Sequence, residues 1–226
     1  MLPTYNEKEN IERIVKEVLK QGDVSIVVVD DSSPDGTGEI AQALAVDSPG
    51  RIHVIRRRER GRGTAGIAGL RYAMEQDVDC VIEMDADFSH DPRRIPEFLD
   101  RIGEYDVVIG SRFVKGSKLM RNPVRRLISD VARIYTRMLL GGHIRDWSGG
   151  YKCYRREALR SLDFDSFRSK GYSIGMETLY RLTKRKKFRF LEIPIEFTDE
   201  RKGESKFSAK EILGYMGTVV RLRLGI

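Results

Sequence analysis

The chain has 226 residues and a mass of 25.9 kDa, a length that suits one domain with one sizeable core, and we expect a single domain over residues 1–226. Its net charge of +7 and pI near 9.4 favour an anionic partner, which leaves nucleic acid, a membrane surface and a phosphorylated substrate open. No run of about 18 apolar residues is present to span a bilayer, and the spacing of Cys80 and Cys153 excludes a zinc-type motif, so we expect reduced, buried thiols in a cytoplasmic protein.

Strand and helix alternate through the first half of the chain. Residues 1–7 read as the exit loop of a strand, which we expect to be truncated. The spacing of apolar residues then predicts, in order, a helix over 10–20, a strand over 24–29, a helix over 36–45, a strand over 52–55, a helix over 65–75, a strand over 80–84, a helix over 92–102 and a strand over 106–109. This alternation is typical of a mainly parallel sheet with helices on both faces and with ligands at the carboxyl ends of the strands.

After Gly110 the pattern loosens into helices, with one further strand predicted over 190–197. Two of these helices, over 122–140 and 209–224, combine apolar residues at helical spacing with arginines. Such a helix lies readily on an anionic membrane, and its apolar side is equally able to pack against the sheet.

Two carboxylates stand one residue apart where an apolar run ends. Asp85 and Asp87 follow the strand predicted over 80–84, so we expect them to point the same way. A divalent cation bridging to a phosphate relieves their repulsion, since Mg²⁺ and Mn²⁺ accept one or two carboxylates and fill their other sites with phosphate oxygens and water. The alternative is a turn in which Asp87 or Asp91 caps the following helix.

Loops at 3–7 and 30–37 are predicted to converge with Asp85 and Asp87 on the same sheet edge, although each alone is ordinary turn chemistry. Together they indicate a site for a nucleotide diphosphate and a metal. The glycine-rich segment 61–69 lacks the ending of a P-loop, so we interpret it as a helix entry that allows close packing. His90 is interpreted as a loop residue, because the metals named above prefer oxygen ligands.

Six motifs carry a resemblance to a known family. They are Pro-Thr-Tyr-Asn-Glu at 3–7, Val-Asp-Asp-Ser-Ser-Pro-Asp-Gly-Thr at 29–37, Met-Asp-Ala-Asp-Phe-Ser-His-Asp-Pro at 84–92, Gly-Ser-Arg-Phe at 110–113, Ser-Gly-Gly-Tyr-Lys-Cys-Tyr-Arg at 148–155 and Gly-Glu-Ser-Lys at 203–206. In this order they resemble the family 2 glycosyltransferases of the dolichyl- or polyprenyl-phosphate mannosyltransferase group. The resemblance covers nearly the whole chain and implies a GT-A type nucleotide-diphospho-sugar transferase fold.

The resemblance also implies roles for individual residues. It places the donor nucleotide sugar on Pro3, Tyr5, Glu7, Val29, Asp31, Asp85, Ala86, Asp87, Ser89, Arg112, Arg201 and Lys206, with Asp31 accepting from the base and the last two residues on a lid over 199–206. Asp85 and Asp87 would bind the metal, with Ser89, which is Gln in some relatives, near its shell. The catalytic set is Asp87, Arg112 and Glu177, although Glu177 is also a favourable residue for the start of a helix.

A lipid monophosphate fits as the acceptor. A hydroxyl nucleophile needs a general base, whereas a phosphate monoester with a second pKa of about 6 is already largely dianionic at neutral pH. Arginines then position the nucleophile, and Arg112, Arg121 and Arg125 are the candidates for this task.

We therefore expect an inverting enzyme that transfers mannose from GDP-mannose to a polyprenyl (dolichyl) phosphate. It would use Mg²⁺ or Mn²⁺ and lie peripherally on the inner, cytoplasmic face of the membrane, with room for a membrane-anchoring partner protein. An alternative is a transferase that uses UDP-glucose or a UDP-N-acetylhexosamine. A second is a non-enzymatic basic module that binds nucleic acid, which is disfavoured because no base-stacking aromatic pattern accompanies the arginines.

Overall fold

A computed structural model describes residues 1–120, 122–169, 171–198 and 209–225 of the chain. In chain order its elements are β1 (Leu2–Thr4), α1 (Ile11–Leu19), β2 (Ile26–Asp30), α2 (Thr37–Asp47), β3 (Ile52–Arg56), α3 (Arg62–Glu75), β4 (Cys80–Glu83), a 3₁₀ turn (Pro92–Arg94), α4 (Ile95–Ile102), β5 (Val107–Ser111), β6 (Lys118–Met120), α5 (Pro123–Leu140), β7 (Lys152–Arg155), α6 (Arg156–Arg160), a second 3₁₀ turn (Phe164–Ser166), α7 (Ser173–Lys184), β8 (Phe190–Pro194), β9 (Glu196–Thr198) and α8 (Ala209–Leu224).

The first three strands form a parallel sheet in the order β1-β2-β3. Every residue of β2 is buried, which explains its continuous β-branched run, because a central parallel strand is covered on both faces. The short strand β1 pairs with β2 from Leu2 opposite Val28. Backbone N–H of Met84 donates to the carbonyl of Met1 at 3.2 Å, so this sheet continues into the next one.

The next sheet is mixed, because one strand that the sequence did not predict, β7, runs antiparallel in an otherwise parallel arrangement. Its order is β4-β7-β5-β8, with β7 antiparallel to both of its neighbours and β8 parallel to β5. The sequence did not predict β7, because its charged ends, Lys152 and Arg155, hide its burial. It also did not predict β6. The single strand expected over 190–197 is two strands, β8 and β9, which separate after Pro194, a residue that cannot donate to a ladder.

Helices cover both faces of the sheets, as predicted. One buried cluster includes Leu70 of α3, Leu179 of α7 and Val219 of α8, and the other includes Ile14 of α1 and Phe98 of α4. The interior of the molecule is therefore closed on both sides. The carboxyl ends of β2, β4 and β5 are left as the edge at which polar side chains collect.

α5 packs against α8 and leaves much of its apolar side in solvent. Leu127 is 65% exposed, Val131 58% and Met138 80%. In the part of the chain that the structure describes, no helix is long and apolar enough to cross a membrane. The exposed apolar side of α5 is therefore a surface for another molecule to cover.

Candidate active site

One cavity of about 710 Å³ connects the strand-end carboxylates to the space between α5 and α8. Its polar wall includes Asp85, Asp87, Ser89 and Arg112, all of them predicted site residues. Its apolar wall comes from the two helices and includes Leu127, Ile128, Val131, Ile212 and Met216. A charged site and an apolar groove thus share one enclosed space.

The loop after β4 is held in shape by its own side chains. Ser89 donates to Asp87 Oδ1 twice, from the hydroxyl at 2.6 Å and from the backbone N–H at 3.1 Å. The turn is tight enough to give Phe88 a φ of 58°, in the left-handed region. These contacts fix Asp87 at the cavity wall, with Ser89 directly beside it.

His90 lies in the loop after β4, as interpreted from the sequence, and it is buried there. Its Nδ1 accepts from the backbone N–H of Asp85 at 3.0 Å, and its ring packs on Tyr151 and Phe197. Because Nδ1 is an acceptor, the ring is neutral, and burial lowers the pKa of His90 in the same sense. His90 therefore fixes the backbone at the first aspartate of the pair.

Arg62 holds Asp85 in this structure, and the sequence analysis did not identify it. Its Nε and Nη2 donate to Asp85 Oδ1 at 3.1 and 2.8 Å, and its Nη1 donates to Glu83 Oε1 at 2.9 Å. Burial alone would lower the pKa of Arg62, but the two carboxylates outweigh it and raise the pKa. The segment 61–69 does begin a helix, α3, as predicted, and the first side chain of that helix neutralises the carboxylate site.

Asp85 and Asp87 suit a metal that also binds phosphate. Among the described residues, no group of three or more His, Cys, Asp or Glu side chains is placed to hold a metal. Mg²⁺ needs only one or two carboxylates when phosphate oxygens complete its shell. The cation that Asp85 attracts is at present the Arg62 guanidinium, which confirms that this end of the cavity favours positive charge.

Arg112 is fixed by a fully buried aspartate, Asp146. Its Nε and Nη2 donate to the two oxygens of Asp146 at 2.8 and 2.7 Å, and Nη2 also donates to Ser148 at 2.7 Å. Burial alone would raise the pKa of Asp146, but the Arg112 guanidinium outweighs it and holds that pKa below its ordinary value. Asp146 lies in the loop before β7 and carried no sequence signal.

The predicted nucleoside residues gather at the ends of β1 and β2. Asp31 is buried, and it accepts from Arg57 Nη1 at 2.8 Å and from the Gly61 N–H at 2.7 Å. Burial raises the pKa of Asp31, against the opposing effect of these donors. Tyr5 lies under the Arg60 guanidinium at 4.7 Å.

Four more predicted donor residues lie in or beside the same loops. Pro3 and Val29 are buried and register opposite each other on β1 and β2, and the backbone N–H of Glu7 donates to Thr37 at 2.9 Å. Ala86 is buried in the core beside β4. These positions shape the backbone of the region, and their contact with a nucleotide stays a prediction.

Glu177 has a full set of partners away from the cavity wall. It accepts from the Ser169 N–H at 2.8 Å and from Arg181 Nη2 at 2.7 Å. Burial alone would raise its pKa, but these donors outweigh it and lower the pKa. Its observed contacts join α7 to the loop before it, and its contact with a sugar stays a prediction.

The candidate acceptor arginines are only partly described. Arg125, on α5, lines the cavity together with Arg112. Arg121, Arg201 and Lys206, like the lid predicted over 199–206, lie outside the described residues. Two contacts tie α5 to α8 next to the groove: the Tyr135 hydroxyl donates to the Met216 carbonyl at 3.1 Å, and the hydroxyls of Thr136 and Tyr215 are 2.8 Å apart.

Comparisons with known proteins agree with this geometry. The model of glycosyl transferase family 2 matches residues 1–163. An undecaprenyl-phosphate mannosyltransferase of Micrococcus luteus is 40% identical over 213 residues, which are 92% of this chain and 86% of that protein. A polyprenol monophosphomannose synthase of Mycolicibacterium smegmatis is 41% identical over 216 residues, 94% of this chain and 81% of that protein.

Among solved structures, the fold is similar to that of glucosyl-3-phosphoglycerate synthase from Mycobacterium tuberculosis, crystallised with Mn²⁺, UDP and glucosyl-3-phosphoglycerate. The TM-score is 0.68 at 19% identity, with 100% of this chain and 78% of that chain covered. This similarity confirms the predicted fold.

Proposed function

We propose that this chain, which belongs to glycosyl transferase family 2, transfers mannose from a nucleotide diphosphate to a polyprenyl monophosphate. The observation that carries the proposal is the single cavity, in which Asp85, Asp87 and Arg112 share one space with the apolar groove between α5 and α8. A sugar nucleotide needs the charged residues, and a lipid phosphate needs both the charged residues and the apolar groove. Few other pairs of substrates would need a charged site directly beside an apolar groove.

GDP-mannose is the proposed donor, with Mg²⁺ or Mn²⁺ as cofactor. Asp85 and Asp87 would hold the metal, which would neutralise charge on the departing diphosphate. Arg62, released from Asp85, would lie within reach of the same phosphates. The nucleoside would lie by Tyr5 and Asp31, where the carboxylate of Asp31 would share its oxygens between the base and its present donors, Arg57 and Gly61.

The acceptor phosphate would lie between Arg112 and Arg125. As a dianion it attacks C1 of mannose directly, so the new bond joins a phosphate oxygen to C1 while the bond from C1 to the donor diphosphate breaks. No proton has to be removed, so the step needs no general base. Attack from the face opposite the diphosphate inverts the anomeric centre. Arg112 can hold the nucleophile without moving, because Asp146 has already fixed its guanidinium.

The exposed apolar side of α5 would rest on the membrane that supplies the lipid, on its cytoplasmic face. Val124, Ile134 and Met138 are exposed on α5 and lie outside the cavity lining, and the same helix carries arginines that anionic headgroups would attract. The polyprenyl chain would enter the groove from the bilayer and leave its phosphate at the arginines. This arrangement needs no helix that crosses the membrane, and it leaves room for a membrane-anchoring partner protein.

The test is a matrix of donors and acceptors. The purified chain is incubated with Mn²⁺ or Mg²⁺ and with GDP-mannose or UDP-glucose carrying a radiolabelled sugar, in vesicles that contain either a polyprenyl phosphate or the matching polyprenol. We expect label in the extracted lipid only with GDP-mannose, a metal and the phosphate. If label is transferred only from UDP-glucose, the donor is UDP-glucose and not GDP-mannose. If label is transferred to the polyprenol, the proposal that the acceptor is a phosphate is wrong.

A further inference from the structure

Lys152 is a buried cation at the floor of the cavity that none of the roles above uses. Only 2% of the residue is exposed, and it lines the cavity. It is the first residue of β7 and pairs across the sheet with Glu83, the last residue of β4. Asp85 follows Glu83 by two residues. Lys152 therefore lies beside the end of β4, just before the loop that carries Asp85 and Asp87.

The ammonium group of Lys152 has no hydrogen-bond partner among the residues that the structure describes. Glu83 attracts it at longer range, and one oxygen of Glu83, Oε1, already accepts from Arg62. An ammonium group offers three donors, and a buried charge without hydrogen bonds is costly to the fold. A purely structural role would leave that cost unexplained.

Two glycines, Gly175 and Gly150, leave the space around the Lys152 side chain open. A Cβ on Gly175, in the first turn of α7, would stand 2.8 Å from the Lys152 Nζ. Gly150 lines the same cavity as Lys152, and a Cβ there would stand 3.1 Å from Asp85 Oδ2. The cavity is therefore open from the carboxylate site down to the ammonium group.

The charges on this floor balance. Lys152 and Arg62 contribute two positive charges, and Glu83 and Asp85 contribute two negative ones. A phosphate placed there would meet Glu83, whereas a sugar hydroxyl can accept from an ammonium group and donate to a carboxylate. The floor is thus suited to a neutral ligand with several hydroxyls.

We propose that Lys152 binds a hydroxyl group of the donor hexose, with Glu83 accepting from the same or the neighbouring hydroxyl. The inference rests on the proposed function and deepens it, since a sugar attached to a diphosphate at Asp85 and Asp87 would occupy the same cavity as Lys152. Lys152 is then a residue that orients the sugar and selects it, distinct from the residues that bind the diphosphate.

The test compares binding of GDP-mannose and of GDP, each with Mn²⁺, by calorimetry. Lys152→Met keeps the length of the side chain and removes its charge, while Lys186→Met makes the same change at an exposed residue outside the cavity. We expect Lys152→Met to lose about tenfold or more in affinity for GDP-mannose, the strength of one hydrogen bond to a charged group. Its affinity for GDP should stay close to that of Lys186→Met, and its melting temperature should be equal or higher, because the costly buried charge is gone.

Deoxy analogues of the donor locate the contact. In the wild type, removing one particular mannose hydroxyl should weaken binding, and in Lys152→Met the same removal should cost little, as in a double-mutant cycle. Gly175→Ala provides a second variant, because its Cβ displaces the ammonium group without removing it, and we expect the same selective loss of GDP-mannose binding.

Each other outcome overturns the inference. If Lys152→Met loses its folded state, the ammonium group is structural. If it binds GDP-mannose as tightly as the wild type does, or loses GDP affinity to the same degree, Lys152 does not recognise the sugar, whatever the function. A wild type that binds neither GDP-mannose nor UDP-glucose overturns the proposed function and this inference with it.

Discussion

Replacing Asp146 with asparagine should cost both stability and activity. The Asp146 carboxylate accepts four hydrogen bonds, from the Arg112 N–H at 3.0 Å, from Arg112 Nε and Nη2 at 2.8 and 2.7 Å, and from the Gly149 N–H at 2.9 Å. An asparagine has one acceptor oxygen, and its NH₂ group would face two donors. The substitution also leaves the buried Arg112 guanidinium without its counter-charge.

The expected loss is large because the pair is buried. Breaking a buried ion pair by removing one partner costs about 3–5 kcal/mol, which for a chain of this size corresponds to a melting temperature lower by about 10 °C. Arg112 would also lose its fixed position, and a displacement of about 1 Å can slow transfer by about 10²-fold.

The lowered pKa of Asp146 determines how the stability difference between the wild type and Asp146→Asn changes with pH. Arg112 keeps the pKa of Asp146 below its ordinary value, so the ionised carboxylate favours the folded state. That stability is complete above the unfolded-state pKa of about 3.9 and is lost as the pH falls through the lower pKa of the folded state. The difference between wild type and Asp146→Asn should therefore be full at neutral pH and should shrink in acid.

Urea unfolding near pH 7 and near pH 3 measures both effects. Asp165→Asn is the matched control, because Asp165 also pairs with an arginine, Arg71, but is 86% exposed. We expect that control to cost no more than about 1 kcal/mol. If Asp146→Asn costs as little as the control, or if its deficit does not shrink in acid, the account of Arg112 is wrong.

Three further predictions concern the metal, its competitor and the membrane. Asp87→Asn should slow metal-dependent transfer by about 10²-fold or more while leaving the melting temperature unchanged, and activity within tenfold of wild type would remove Asp87 from the metal site. Arg62→Met should tighten nucleotide-free Mn²⁺ binding by about 100-fold or more, because at about 5 Å and an effective dielectric of about 20 the guanidinium repels each charge of the metal by about 3 kcal/mol. Unchanged binding by calorimetry would mean that Arg62 does not compete. Val124→Glu, at a valine that is 66% exposed on α5 and outside the cavity lining, should weaken binding to anionic vesicles in a sedimentation assay, whereas Val46→Glu, at a valine that is 72% exposed on α2, should not. Equal losses would refute docking through α5.

Local patterns in the sequence predicted the elements whose burial follows from their own residues. The β-branched run of β2 and the apolar spacing of α1 required no knowledge of a partner, and both elements lie within about two residues of the predicted bounds. Asp85 and Asp87 were likewise found because they follow a strand directly.

The missed features depend on residues far apart in the sequence. β7 is a strand because β4 and β5 lie on either side of it, and its first residue, Lys152, is buried against Glu83 from another strand. The pairs Arg62–Asp85 and Arg112–Asp146 join residues 23 and 34 positions apart. No spacing rule within one segment predicts such pairs.

The claim on which the account depends is that the lipid phosphate enters the groove between α5 and α8 and meets the sugar nucleotide in the same cavity. A polyprenyl phosphate that carries a photoactivatable diazirine near its phosphate tests this directly, by mass spectrometry of the labelled peptides after illumination in vesicles. We expect adducts on α5 and α8 at residues that line the cavity, such as Leu127 and Met216, and we expect unlabelled polyprenyl phosphate to suppress them. Adducts confined to other surfaces, or labelling that the unlabelled lipid phosphate does not reduce, would contradict the account.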